Sequence, residues 1–229
     1  MEIIARIHTD FAEKFGIPRQ SGLVRSLTGE IRFEPKYRSP DYIRGIEGFS
    51  HLWLIWQFDE PGKTALVRPP RLGGNTKMGV FATRSPFRPN PLGLSCVKLE
   101  RVEKTEKDGC VLHVSGCDMV SGTAILDIKP YLPFADCVPG ASGGFADEVK
   151  GKSLDVVFPE ALLEEIPPEK RETLIGLLAQ DIRPGYQDDP GRHYGMGFAG
   201  WDIRFTVADG VLTVEEVVPA DRRKNEQSP

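Results

Sequence analysis

Cysteine is scarce in this chain. There are four, Cys96, Cys110, Cys117 and Cys137, and no two form a C-x-x-C pair. The four histidines do not stand near them at ligand spacing, so the pattern gives no zinc site and no metal is expected. The thiols read as reduced residues of a reducing compartment. No apolar run approaches the roughly 20 residues of a membrane helix, and the start, MEIIARIHTD, has no signal-type apolar stretch. These absences read as a cytoplasmic chain with no membrane partner. A G-x-x-x-x-G-K-[ST] loop and a G-x-G-x-x-G turn after a strand are both missing. No Ser-His-Asp or Cys-His arrangement is legible, and no internal repeat is present. Overall basicity is missing too. The net charge is -4 with a pI near 5.7, which argues against a general polyanion binder.

Acid is missing locally as well. Residues 61–95 hold Lys63, Arg68, Arg71, Lys77, Arg84 and Arg88 and no Asp or Glu. This local field suits an anionic partner, or a substrate carrying carboxylate or phosphate. Within the segment, GVFATRSPFRPNPLGLS (79–95) is stiffened by Pro86, Pro89 and Pro91, each of which fixes its own φ. Rigid backbone, planar guanidinium forks and the Asn90 amide suit recognition better than catalysis. The alternative is a stiff loop whose arginines pair with surface acids.

Period-two apolar patterns dominate the first 130 residues. GFSHLWLIWQF (48–58) reads as a strand with both faces covered, and LGLSCVKLERV, CVLHVSGCDMV and TAILDIKPYL follow as further strands. Lys107-Asp108-Gly109 reads as a hairpin turn. The expected fold is mainly β, a barrel or sandwich over residues 1–136. Residues 137–158, rich in Gly, Pro, Ala and Asp, read as a linker. Residues 159–219 read as a small α+β domain, with helices at 159–166 and 168–180, then a hairpin turning at Ala208-Asp209-Gly210. Residues 220–229 read as a polar tail.

Three further constellations carry chemistry-bearing residues. VRPPRLGGN (67–75) adds Arg68, Arg71 and a Gly-Gly pair, which suits either close approach to a ligand or a tight turn. In SGTAILDIKPYLPF (121–134), alternation puts Asp127, Lys129 and Tyr131 on one face, as a reactive group or as a structural ion pair. LAQDIRPGY (178–186) gathers Asp181, Arg183 and Tyr186 at a helix exit, where a terminating salt bridge is the plainer explanation.

These stretches together resemble the TrmO family of tRNA methyltransferases. The resemblance rests on KFGIPRQSGLV (14–24), FSHLWLIWQF (49–58), RPPRLGGNTKMGVFATRSPFRPNPLGLS (68–95), DIKPYLPFAD (127–136) and AQDIRPGY (179–186), in that order. It implies a non-Rossmann β-barrel that binds S-adenosylmethionine, works as a homodimer, and methylates N6 of threonylcarbamoyl-adenosine beside the tRNA anticodon. It implies cofactor contacts at Gln20, Ser21, Gly22, Asp59, Glu60, Arg84, Leu94, Val120, Ser121, Gly122 and Thr123. Arg68, Arg71, Arg88, Asp181, Arg183 and Tyr186 become candidates for RNA contact. Asp127, Lys129 and Tyr131 are the catalytic candidates, with no general base assigned. One departure stands out: the family pattern before DIKPY is D-G-T-P, and this chain has Ser121-Gly122-Thr123-Ala124. The alternatives are a module that holds S-adenosylmethionine or RNA without turnover, and a methyltransferase of the same fold with another substrate.

Overall fold

The computed structural model describes residues 1–59, 62–69, 76–148, 151, 153–183, 189 and 191–221. Six antiparallel strands close into a barrel: β1 (Ala5–Thr9), β2 (Thr28–Phe33), β3 (His51–Gln57), β6 (Leu92–Thr105), β7 (Gly109–Ser115) and β8 (Ala124–Pro130). Around the barrel they run β1-β2-β7-β6-β3-β8, and β8 closes onto β1 through Ala5↔Ile125. Closure removes every sheet edge from solvent. Alternation sets the faces: Ile7, Ile31, Leu52, Leu54, Leu112 and Ile125 point inward and are fully buried.

β3 differs from its sequence reading. Leu52, Leu54 and Trp56 are buried, but His51, Trp53 and Ile55 are only half-buried. The strand lines a barrel rather than the middle of a covered sheet, so its second face is the molecule's outer wall. Between β3 and β6 in the chain stands a two-stranded flap, β4 (Leu66–Val67) with β5 (Met78–Gly79), followed by a 3-10 turn at Val80–Ala82.

The remaining elements are short helices α1 (Pro133–Asp136) and α2 (Phe145–Glu148), strand β9 (Asp155–Val157), helices α3 (Glu160–Glu164) and α4 (Pro168–Leu178), and strands β10 (Tyr194–Phe198), β11 (Trp201–Ala208) and β12 (Val211–Pro219). β9 lies within the stretch read as linker. It pairs in parallel with β12, in a sheet ordered β10-β11-β12-β9. β10 had no clear alternation signal because Gly195 and Gly197 interrupt it. The β11–β12 turn forms as expected. Asp209 and Gly210 both take positive φ, 49° and 80°, which matches the right-handed twist of a two-residue hairpin.

Leu174, Leu177 and Leu178 of α4 pack under this sheet with Met196, Phe198, Ile203 and Phe205, in one apolar cluster continuous with the barrel core. Phe11 meets Phe198 with ring centroids 5.6 Å apart. Lys170 of α4 pairs with Asp10, the Ala199 amide donates to the Asp10 carbonyl at 3.0 Å, and the Thr173 hydroxyl donates to the Ser26 carbonyl at 3.2 Å.

Candidate functional site

The site is built outward from a polar thread inside the barrel. Along β6, Gly93, Ser95, Val97 and Leu99 face inward. The Trp56 ring lies flat over Gly93, so a Cβ there would stand 2.1 Å from the ring. That position places the indole N–H to donate to Ser95 Oγ at 2.9 Å. Ser95 in turn donates to the Asp118 carboxylate at 2.6 Å. Burial pushes the Asp118 carboxyl up to about 6, opposed by hydrogen bonds from Ser95 and the Ser21 amide and by the charge of Arg84.

Asp118 thereby ties the 20–22 segment to the barrel. β7 pairs with β6 only from Lys98 onward, which leaves the Cys96 amide without a strand partner on that side. The Ser21 hydroxyl accepts it at 3.0 Å. The Gly22 amide donates to the Gly116 carbonyl at 2.9 Å. Gly22 takes φ +78° with open space where a Cβ would stand, so a larger residue would be strained by backbone conformation alone. The Gln20 side-chain oxygen accepts a hydrogen bond from the Arg84 guanidinium. Leu94, on the outward side of β6 beside these groups, is 54% exposed.

The 120–123 turn follows Asp118 directly. Its amides are anchored inward: Ser121 N–H donates to the Phe11 carbonyl at 2.8 Å and Gly122 N–H to the Ile7 carbonyl at 2.7 Å. Thr123 donates through both its amide and its hydroxyl to the Val120 carbonyl. Ser121 Oγ accepts the Thr9 amide at 3.4 Å, so this hydroxyl is used within the fold. Gly122, at φ +89°, again has open space beside it. Gln20, Ser21, Gly22, Arg84, Leu94 and Val120–Thr123 therefore converge on one rim of the barrel.

Several other expected residues make contacts within the fold. Asp59 is exposed and pairs with Lys14 at 3.7 Å, and the neighbouring Phe58 amide donates to the Pro91 carbonyl at the entry to β6. Glu60, Arg71 and Tyr186 lie outside the described residues. Arg68 is exposed on the flap. Arg88 turns into its own loop and donates to the Thr83 and Ser85 carbonyls at 3.0 and 3.2 Å. Asp181 and Arg183 pair at 2.8 Å, and their carbonyls accept the Arg19 guanidinium, which braces the residue before Gln20. On the outer wall, Asp127 and Lys129 pair at 3.1 Å. Asp127 faces Ile55, which faces Leu94. Asp127 and Leu94 thus share one surface, two strand spacings or roughly 10 Å apart. Loss of hydration, with Cys137, Cys96 and Asp136 nearby, raises the Tyr131 phenol above its usual range.

Trp56, Ser95 and Asp118 are not among the expected site residues, and Cys96 reads from sequence only as a reduced thiol. The available signal was an acid inside an apolar run, GCDMV, with Ser95 in an otherwise apolar inward row.

Residues 6–137 match the family described as tRNA-methyltransferase O N-terminal domain, and residues 152–220 match the TrmO C-terminal domain. The chain belongs to the TrmO family. A curated TrmO-type relative, the Escherichia coli K12 protein named tRNA (adenine(37)-N6)-methyltransferase, is 41% identical over 95% of this chain and 97% of its own. A protein of the same name from Eikenella corrodens is 47% identical over 76% of this chain and 99% of its own. The crystal structure of TrmO from Pseudomonas aeruginosa matches with a TM-score of 0.74 at 32% identity, covering 94% of this chain and 97% of that one. Among TrmO relatives, a Pseudomonas aeruginosa protein carries the name putative S-adenosylmethionine-dependent methyltransferase RcsF, at 39% identity over 87% of this chain.

Proposed function

We propose that this TrmO-family protein transfers a methyl group from S-adenosylmethionine to N6 of adenine 37 of tRNA, with the threonylcarbamoyl-modified base as acceptor. The convergence of Gln20–Gly22, Arg84, Leu94 and Val120–Thr123 on one rim carries this reading. Their chemistry fits the cofactor. Leu94 offers an exposed apolar contact, Arg84 a guanidinium for a carboxylate, and Gly22 and Gly122 backbone that a ligand can approach closely. Ser121 Oγ accepts the Thr9 amide, so the side chain that stands here is tied into the fold. The Asp that the family pattern carries is therefore replaced without emptying the turn.

The bound cofactor supplies an electrophilic methyl on a sulfonium. The chain's own work is alignment, which is the larger part of such a transfer, and acceptance of the proton released from N6. Of the three catalytic candidates, Asp127 suits the second task best. One of its carboxylate oxygens lies 3.1 Å from the Lys129 ammonium, and the residue shares the outer wall with Leu94. Tyr131, its phenol raised, is a poorer acceptor of a proton from water-exposed substrate.

A cytoplasmic homodimer, divided into the barrel unit and a C-terminal unit from residue 159, completes the reading. Phe134 in α1 and Val138 just after it, 88% and 67% exposed, are apolar surface that a second copy would cover. No described helix is long and apolar enough to cross a membrane.

The test is label transfer from S-adenosylmethionine to tRNA prepared from cells with and without the threonylcarbamoyl modification. Label in the modified pool alone is expected. Label in neither pool refutes the function, and equal label in both refutes the acceptor.

A further inference from the structure

Residues 62–69 and 76–91 carry a surface that the cofactor site does not use. Thr64 donates to the Phe87 carbonyl at 3.2 Å, Val80 to the Ala65 carbonyl at 2.9 Å, and the Thr83 hydroxyl to the Val80 carbonyl at 2.9 Å. With Arg88 bound to the Thr83 and Ser85 carbonyls, the loop is held by its own main chain. On this fixed frame Phe81 is 78% exposed and Phe87 45%, beside Leu66 at 53%. A rigid loop that turns two phenylalanines outward forgoes their burial in the core. Phe81 borders an open cleft of about 480 Å³ lined also by Lys63, Ala65, Val80, Ala82 and Pro89. Its size falls in the range of small-ligand clefts, roughly 300–1,000 Å³. Lys63, Arg68 and Lys77 stand exposed on the same flap, and the segment holds no acid.

We propose that Phe81 and Phe87 form a stacking platform for an unpaired nucleobase of the RNA substrate, with Lys63, Arg68 and Lys77 holding the adjoining phosphates. Exposed aromatics interleaved with cations are how proteins grip single-stranded loops, because every base has a π face and every linkage a negative charge. Arg84, three residues from Phe81, reaches the cofactor segment at Gln20, so the platform borders the methyl donor's rim. The inference rests on the tRNA-methyltransferase reading and adds where the loop is held. A second copy is the weaker occupant. In a two-fold contact this patch would meet itself, cation against cation, with no acid on either side.

The experiment measures binding of purified tRNA to the full chain by filter retention, and S-adenosylmethionine binding by calorimetry, for wild type, Phe81→Ala and Phe81→Trp. Phe81→Ala should weaken tRNA binding roughly 5- to 150-fold, the equivalent of about 1–3 kcal/mol of stacking, and leave cofactor affinity unchanged. Phe81→Trp should restore it. Lys63→Gln should lower the slope of log affinity against log salt by about 0.7. Wild type that binds tRNA no differently from Phe81→Ala overturns the platform while leaving the function standing. Wild type that binds no tRNA overturns both. A Phe81→Ala variant that loses self-association and keeps its tRNA affinity overturns the platform in favour of an interface between copies.

Discussion

Replacing Gly93 by alanine should be among the most damaging single-methyl additions to this barrel. The new Cβ would stand 2.1 Å from Trp56 Cε2 and 2.5 Å from both Cδ2 and Cζ2. Ordinary carbon contacts lie at about 3.5–4.0 Å, so the ring must move by more than about 1 Å. It has little freedom to do so. Trp56 is 7% exposed, packs on Phe58 with centroids 4.2 Å apart, and donates its N–H to Ser95. Overpacking costs about 1–3 kcal/mol and the lost hydrogen bond about 1 kcal/mol. Removing a strand glycine returns about 0.5–1 kcal/mol. The net loss is about 1–3.5 kcal/mol, and a domain of this size loses roughly 2–4 °C of melting temperature per kcal/mol. Thermal unfolding followed by circular dichroism should therefore show a fall of roughly 2–14 °C. In a Trp56→Leu background the same alanine should cost almost nothing, giving a favourable coupling of about 2 kcal/mol between the two sites. An unchanged melting temperature for Gly93→Ala, or equal penalties in both backgrounds, would refute the argument that the glycine exists to seat the ring.

Three further outcomes are expected. The Asp118 carboxyl is raised from 3.8 to about 6 mainly by burial. Its contribution to stability is therefore fullest below about 3.8 and is lost as pH rises through about 6, by up to about 3 kcal/mol. Asp118→Asn should accordingly gain on wild type in urea unfolding above that window relative to below it, and a pH-independent difference would contradict the burial. Arg84→Ala should weaken S-adenosylmethionine binding roughly tenfold or more by calorimetry, as expected for a lost charged hydrogen bond, while exposure of the residue leaves the melting temperature in place. Lys170→Met should cost about 1–2 kcal/mol in urea unfolding, between surface and buried pairs, because Lys170 and Asp10 are 27% and 23% exposed. A double-mutant cycle with Asp10→Asn that shows no coupling would remove that pair from the account.

The barrel was legible because its strands alternate. Ile7, Leu54 and Val97 each sit in a period-two row that has only one way to face a core. Such patterns say nothing of which strands are neighbours, so the closure of β8 on β1 was not readable. β9 escaped for a different reason. Three residues, Asp155 to Val157, are too few to show a period, and their partner β12 comes some 50 residues later in the chain. The rim residues were readable only through family resemblance, since their contacts are long-range. Arg84 meets Gln20 across 64 residues and Cys96 meets Ser21 across 75. Asp118 shows the limit most clearly. Its neighbours in sequence are apolar, and its partners Ser95 and Ser21 come from two other segments. A carboxylate that reads as an interruption of a strand is, in space, the point where three pieces of chain are tied together.

That tie has a counterpart in the stretch that follows α4. Ser21 is held from below by Asp118 and Cys96. Arg19, two residues earlier, is held from the other side by the carbonyls of Asp181 and Arg183 at 3.4 and 2.7 Å. Asp181 reaches this position because it leaves α4 with φ 47°, a left-handed turn that Asp tolerates better than most residues. Its carboxylate then pairs with Arg183 and fixes the strut. The segment carrying Gln20, Ser21 and Gly22 is thus clamped between two surfaces, one from the barrel and one from the stretch after α4. Either one alone would leave a loop free to sample many conformations, with a conformational cost of roughly 1–2 kcal/mol per residue to be met on ligand binding. Pre-ordering by both surfaces removes much of that cost before any ligand arrives. The Asp181-Arg183 pair therefore braces the rim through Arg19, as part of its scaffold.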